Sequence, residues 1–318
     1  MADMRYRRLG RSGLAVSVVG IGCNNFGRKI GEAETKAVVD AAIDAGINLF
    51  DTADIYGTPH GSSELLLGKA LRGHKRDDVV IATKFGMDMG GANGVDHAAR
   101  GSRRYVVRAV EASLKRLATD YIDLYQLHTP DAETPIDETL SALDDLVRAG
   151  KVRYLGSSNF SGWQIANADW TARHDGRTPF ISAQNEYNWL KRGVEADVLG
   201  ACEHFGVGLL PFFPLASGLL TGKYSRSAAA PEGSRLAQPG YAARFAAAPW
   251  DAIDAIEAYA AARGRTMLEV AIGGLAAVPA VTSVIAGATT PDQVAANVAA
   301  VQWIPTAEDL AELRRITA

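Results

Sequence analysis

Four residues of different chemical type, Asp51, Tyr56, Lys84 and His128, each stand where a short apolar run gives way to polar sequence. They occur in Asp51-Thr-Ala-Asp-Ile-Tyr56-Gly, in Thr83-Lys84-Phe85 and in Tyr125-Gln-Leu-His128. An acid, a phenol, an amine and an imidazole can act as one device on a carbonyl group. A carbonyl carbon that accepts a hydride leaves a developing alkoxide, and its oxygen needs a proton. A tyrosine can give that proton, but its ordinary pKa near 10 makes it a weak acid at neutral pH. A nearby ammonium favours the phenolate, so Lys84 is expected to lower that value. Asp51 would hold Lys84 charged and in place, and His128 would hydrogen-bond and orient the substrate oxygen. Each residue also has a plain structural reading. The acid could be a turn residue, the tyrosine packing, the lysine a surface charge and the histidine a satisfied core group. Their arrival together at successive strand ends favours the chemical reading.

Such residues converge only if the elements carrying them lie side by side. Eight short runs read as strands: Ser17–Gly22, Ile47–Asp51, Val79–Thr83, Ile122–Gln126, Val152–Ser157, Ile181–Asn185, Gly208–Phe212 and Ser283–Ile285. Between them lie amphipathic helical patterns, as in Glu34–Ala45 and Ser102–Leu117. Strand and helix in alternation predict a parallel sheet with crossovers. Eight units in 318 residues fit a closed (β/α)₈ TIM barrel, an α/β fold whose working face lies at the C-terminal strand ends. A doubly wound open sheet has the same alternation. Tyr6–Leu9 and Leu14–Val16 predict an N-terminal β-hairpin, and Lys223–Pro249, after the seventh strand, a long lid or insertion. No linker divides the chain, so residues 1–318 read as a single domain.

Composition narrows the partners. With 47% apolar and 22% charged residues the chain has the balance of a globular enzyme. A net charge of -3 gives no reason to expect nucleic acid or an anionic membrane. Two distant cysteines, Cys23 and Cys202, make neither a disulfide framework nor a zinc site and suit a reducing compartment. The most apolar stretch, Leu209–Leu220, is short and contains Pro211 and Pro214, so it cannot span a bilayer. The opening residues lack a secretory signal, so the expected location is cytoplasmic.

Beyond the four residues, Arg8-Leu-Gly-Arg-Ser-Gly-Leu, Gly156-Ser-Ser-Asn-Phe, Gln184-Asn-Glu-Tyr-Asn and Pro214-Leu-Ala-Ser-Gly-Leu-Leu-Thr-Gly-Lys-Tyr run through the sequence. With the tetrad they resemble the aldo-keto reductase superfamily over nearly the whole chain, in the bacterial branch similar to potassium-channel β-subunits. The resemblance implies NADP(H) held across the barrel mouth without a Rossmann domain. It places Ser158, Asn159 and Gln184 on the nicotinamide carboxamide, a group with donors and acceptors. Phe212 stands where the family usually stacks a tyrosine on the nicotinamide. Pro214, Leu215, Gly218 and Lys223 match the pyrophosphate stretch, and Gly287, Thr289, Gln293 and Asn297 the adenine and ribose-phosphate end. Gly22, at the first strand end, joins this cofactor set. Thr289-Thr290 stand where many relatives carry a basic residue, which leaves NADPH versus NADH open. Arg235 is the candidate to supply that charge, as a guanidinium suits phosphate.

The cofactor end could equally be a plain strand-to-helix turn. Two short motifs mislead. Gly20-x-Gly22 has Asn25 at the third glycine position of a dinucleotide fingerprint, and Gly68-Lys69 lacks the other residues of a phosphate loop. The implied reaction is reduction of an aldehyde or ketone by hydride transfer from NADPH, with Tyr56 as general acid. Rival readings are an NADP(H)-binding regulatory subunit of slow turnover and a lyase using Lys84 as a Schiff-base amine. Phe26, Ile55, Phe85, Met87 and Trp189 are pocket candidates that suggest tolerance of apolar carbonyl compounds, with plain core as the other reading; the substrate itself and the subunit count are unreadable.

Overall fold

The computed structural model describes residues 4–318, apart from the side chains of Arg235 and Pro239. A two-stranded antiparallel hairpin, β1 (Tyr6–Arg8) and β2 (Ala15–Ser17), precedes the main sheet. The sheet has eight parallel strands: β3 (Val19–Gly22), β4 (Leu49–Asp51), β5 (Val80–Phe85), β6 (Ile122–Leu127), β7 (Val152–Ser158), β8 (Phe180–Gln184), β9 (Gly208–Leu209) and β10 (Val284–Gly287). Each of β3 to β8 lies beside its successor, and β10 pairs with β3. The remaining seam is closed by a parallel bridge between Leu209 and Val281 and by Ile285 N–H donating to the Pro211 carbonyl at 2.9 Å. A doubly wound sheet has two free edges; here the strands form the (β/α)₈ barrel.

Helices connect the strands and cover the outside: α1 (Glu32–Asp44), α2 (Ser62–Ala70), α3 (Arg103–Leu117), α4 (Ile136–Arg148), α5 (Gly162–His174) and α6 (Val198–Phe205). After β9 come the short α7 (Ala242–Ala246), then α8 (Trp250–Ala262) and α9 (Met267–Ala276). Next are α10 (Pro291–Ala300), following β10, and α11 (Ala307–Ile316). In α3 the buried Val106, Val110, Leu114 and Leu117 lie on one face, as the period of 3.6 requires. Residues 223–249 are less irregular than their composition suggests. They contain α7 and two 3-10 turns, Arg235–Ala237 and Pro239–Tyr241, and bury Tyr224 and Leu236.

Six of the predicted strands keep their places with ends moved by one or two residues, and two differ more for local reasons. The first predicted run divides at Val18, because Ser17 pairs with Tyr6 in the hairpin and Val19 with Val284 in the barrel. The seventh ends at Leu209 because Pro211 has no N–H to give a ladder. Its neighbours still bond sideways, Leu210 to the Ala183 carbonyl and Phe212 to the Asn185 carbonyl.

Side chains alternate across a strand, so every second residue faces the barrel axis. Leu49, Val80, Ala82, Leu124, Leu210 and Ile285 form one interior cluster. Leu9 and Val16 of the hairpin join it and plug the N-terminal end. The plug requires Gly10, which has φ +56° and whose missing Cβ would lie 2.5 Å from the Ile181 carbonyl oxygen. Gly10→Ala should destabilise the fold by about 1–3 kcal/mol, read as a lower urea midpoint at unchanged slope. An unchanged midpoint would show that the hairpin does not seal the barrel.

Candidate active site

Continuing the inward series one residue further up each strand gives the predicted site. Beyond Leu49 stands Asp51; beyond Val80 and Ala82, Lys84; beyond Leu124 and Gln126, His128. Register steps them by two residues from strand to strand: Asp51 pairs with Ala82, two before Lys84, and Lys84 with Gln126, two before His128. The polar residues therefore replace apolar ones at the height where the interior opens to the mouth.

Lys84 Nζ donates to Asp51 Oδ2 at 2.7 Å and to the Thr52 carbonyl at 2.8 Å. Lys84 is 0% exposed and Asp51 2%, so neither charge can turn to water instead. The other oxygen of Asp51 accepts from Gln126 Nε2 at 3.2 Å and from Gln184 Nε2 at 2.9 Å. Burial alone would push the lysine toward the neutral amine, but attraction to Asp51 and Tyr56 outweighs it, and its pKa lies above the ordinary value.

Tyr56 sits on the loop after β4, which is anchored backbone to backbone. Thr52 N–H donates to Ala82, Asp54 N–H to Lys84, and Ser63 N–H to Tyr56 itself. Lys84 Nζ lies 5.0 Å from the centre of the Tyr56 ring, and its charge bears on the hydroxyl. One expectation is corrected here. The ammonium does pull the phenol pKa down, but burial pushes it up more strongly, and the value stands above the ordinary one. Tyr56 is thus a fully protonated phenol at neutral pH.

His128 packs edge-on against Tyr56, with ring centres 5.8 Å apart. Its N–H is fixed by the Phe85 carbonyl, and its own carbonyl accepts from Asn159 Nδ2 at 2.9 Å. Burial, helped by repulsion from Lys84, lowers the imidazole pKa to about 3. The ring is therefore neutral, and its buried Nδ1 has no hydrogen-bond partner among the described residues.

Above these groups a cleft of about 1180 Å³ runs across the mouth. Asp51, Tyr56 and His128 line it, while Lys84 lies behind, reaching it through Tyr56 and Asp51. Of the predicted cofactor residues, Gly22, Ser158, Asn159, Gln184, Phe212, Pro214, Leu215, Gly218, Lys223, Gly287, Thr289, Gln293 and Asn297 all border it. The Arg235 side chain lies outside the described residues.

The wall has features that suit a long polar ligand. Ser158 donates to the Gln184 carbonyl at 2.9 Å and accepts from Asn159 at 3.1 Å, so the two strand ends form one rigid polar ledge. Ser217 and Gly218 hold φ of +64° and +104°, and a Cβ on Gly218 would lie 3.2 Å from the Tyr224 ring. Asn297 is 3% exposed with its amide nitrogen unpartnered among the described residues. The orphaned amide of Asn297, the close approach at Gly218 and the polar ledge fit an extended dinucleotide. At the same end the turn reading also holds in part. Thr290 caps α10 and Gln293 accepts from Thr289, so these side chains organise the turn that borders the cleft.

Asn24, Arg28, His60, Phe213, Ser217 and Leu268 also line the cleft and were not among the expected residues. Phe213 and Ser217 have left-handed backbones without being glycine, which residue type does not signal. Of the apolar pocket candidates, Ile55 and Met87 border the cleft. Phe26, Phe85 and Trp189 do not. All three are fully buried, Phe85 stacked on Tyr125 and Trp189 donating to the Val270 carbonyl, so they are core. Among the described residues no cluster of potential metal ligands occurs, and no helix is long and apolar enough to cross a membrane.

Breaking the buried pair should be costly. Lys84→Met should lose about 3–5 kcal/mol of unfolding free energy, and Asp51→Asn with Lys84→Met less than the sum of the single changes. Additive losses would mean the pair is not coupled. His128 titrates near 6.5 when unfolded and near about 3 when folded. Its contribution is complete above about pH 6.5 and fades as pH falls, because the unfolded chain then binds the extra proton. Between pH 7 and 5 the wild type should lose up to about 2 kcal/mol more than His128→Gln. Parallel stability curves for the two proteins would show an imidazole that titrates normally.

Comparison with known proteins agrees with the geometry. The family model described as "Aldo/keto reductase family" matches residues 18–318. The chain is 38% identical to a probable voltage-gated potassium channel subunit beta of Arabidopsis thaliana, over 95% of this chain and 92% of the relative. It is 34% identical to an L-glyceraldehyde 3-phosphate reductase of Escherichia coli O157:H7, over 98% and 92%. It is 36% identical to a versiconal hemiacetal acetate reductase of Aspergillus parasiticus, over 96% and 95%. A barrel whose mouth carries this tetrad beneath a long polar cleft, matched over nearly its whole length, belongs to the aldo/keto reductase family of NAD(P)H-dependent oxidoreductases.

Proposed function

We propose that the protein reduces an aldehyde or ketone to an alcohol with NADPH, and that Tyr56 donates the proton. The observation that supports this best is the neutral phenol of Tyr56 set against a buried, charged Lys84 and a neutral His128 at one end of the cleft. Bound NADPH would supply the hydride to the carbonyl carbon. His128 would donate a hydrogen bond to the carbonyl oxygen and fix its direction, as a neutral imidazole can without adding charge. Tyr56 would pass its proton to that oxygen as it becomes an alkoxide, and Lys84 would stabilise the phenolate left behind. Asp51 would keep Lys84 protonated and immobile. Solvent would then return the proton to Tyr56. The whole chain, 1–318, would serve as one domain.

The carboxamide of the cofactor would lie on Ser158, Asn159 and Gln184, its ring against Phe212, and its pyrophosphate along Pro214, Leu215, Gly218 and Lys223. Gly22 and Gly287 would let it approach the strand ends, with Thr289, Gln293 and Asn297 at the adenosine end. Two free, buried thiols, Cys23 and Cys202, favour a cytoplasmic setting. The lyase reading is disfavoured, because a Schiff base needs a neutral amine and Asp51 keeps Lys84 charged. A regulatory subunit of slow turnover is the second reading, favoured by the channel-subunit likeness. Tyr56→Phe should lower carbonyl reduction by at least about 10²-fold while NADPH binding, followed by fluorescence, persists. Wild-type turnover in that variant would remove the assigned role. Turnover of the unaltered protein below about one per minute on every carbonyl offered would favour the regulatory reading.

A further inference from the structure

The rim of the cleft beside Tyr56 carries a charge that the proposed reaction does not use. Arg28 and Lys29 line it on the loop after β3. Among the described residues the guanidinium of Arg28 has no hydrogen-bond or ion-pair partner. Asp51 supplies the one carboxylate in the described lining, and Lys84 already neutralises it. An anion entering this mouth therefore meets net positive charge with no competing acid.

The loop is held where that charge counts. Thr58 N–H donates to the Gly27 carbonyl at 3.0 Å, which ties the residue before Arg28 to one two positions beyond Tyr56. The contact is tight: a Cβ on Gly27, at φ +70°, would lie 2.6 Å from Ser62 Cβ. His60 Nδ1–H donates to the Ile55 carbonyl at 2.9 Å and braces the other side of the same turn. Arg28 thus rides on a backbone clamped to the Tyr56 loop. Ile55 and Met87 give the neighbouring wall an apolar face.

We propose that the substrate is a carbonyl compound bearing an anionic group, a carboxylate or a phosphate, that Arg28 binds at the rim while the carbonyl lies at Tyr56. This rests on the reductase reading above. A planar guanidinium with paired donors suits either anion, and such charge-assisted bonds are the strong ones.

The test compares matched pairs with NADPH: succinate semialdehyde against butanal, and phosphorylated glyceraldehyde against glyceraldehyde. The wild type should favour at least one charged member by about 10- to 100-fold in kcat/KM, chiefly through KM. The carboxylate and phosphate arms report which anion fits. Arg28→Gln should collapse that ratio toward one, and Arg28→Lys should keep part of it. A wild-type ratio near one in both arms, or a ratio that survives Arg28→Gln, overturns the inference and leaves the reductase reading standing. A tenfold loss of NADPH affinity in Arg28→Gln with the ratio intact would assign the guanidinium to the cofactor and equally overturn it. Failure of the wild type to reduce any carbonyl while binding NADPH would overturn both.

Discussion

Everything at the mouth of this barrel depends on one ion pair buried at the floor of the cleft. Lys84 and Asp51 are buried together, and each would carry a large desolvation penalty without the other. The pair is stable because both charges are held by several hydrogen bonds. Two acceptors hold the ammonium, while the carboxylate takes donors from Lys84, Gln126 and Gln184, reaching across four strands. Once fixed, the ammonium acts on its surroundings. It favours the phenolate of Tyr56 against the burial that opposes it, and it adds to the burial that keeps a proton off His128.

Burial sets the other half of that balance. The phenol is not pre-ionised: low polarity raises its pKa further than the ammonium lowers it. For a group that must arrive protonated and leave as an anion, this is a useful combination. The proton stays in place at neutral pH, and the stabilising charge is already positioned for the moment it departs. A site that lowered the phenol pKa too far would lose the donor before any substrate bound.

The barrel supplies the precision. Inward side chains are spaced by the strand period, and the parallel register sets Asp51, Lys84 and His128 in a regular two-residue step across three neighbouring strands. The loop segments do the rest, since Tyr56 hangs on three backbone hydrogen bonds and Arg28 on a loop clamped to it. The cleft above joins segments from both ends of the chain, from Gly22 to Asn297, because β10 closes against β3.

The sequence by itself determined the strand and helix alternation, the residues at the strand ends and the four chemically matched groups among them. These are local properties: apolar periodicity and residue type are written in short segments. It also carried the cofactor segments, through motifs whose meaning lay in their likeness to a family. Tertiary structure decided what depends on environment and on neighbours distant in the chain. It shortened the seventh strand at Pro211 and separated Ile55 and Met87, which face the cleft, from Phe26, Phe85 and Trp189, which are core. It also reversed the net direction of the Tyr56 shift, because desolvation is a sum over everything packed around a group. The unpartnered Arg28 at the rim belongs to the same class. An arginine's partners are set by what folding brings within reach of it, and residue type alone does not encode that.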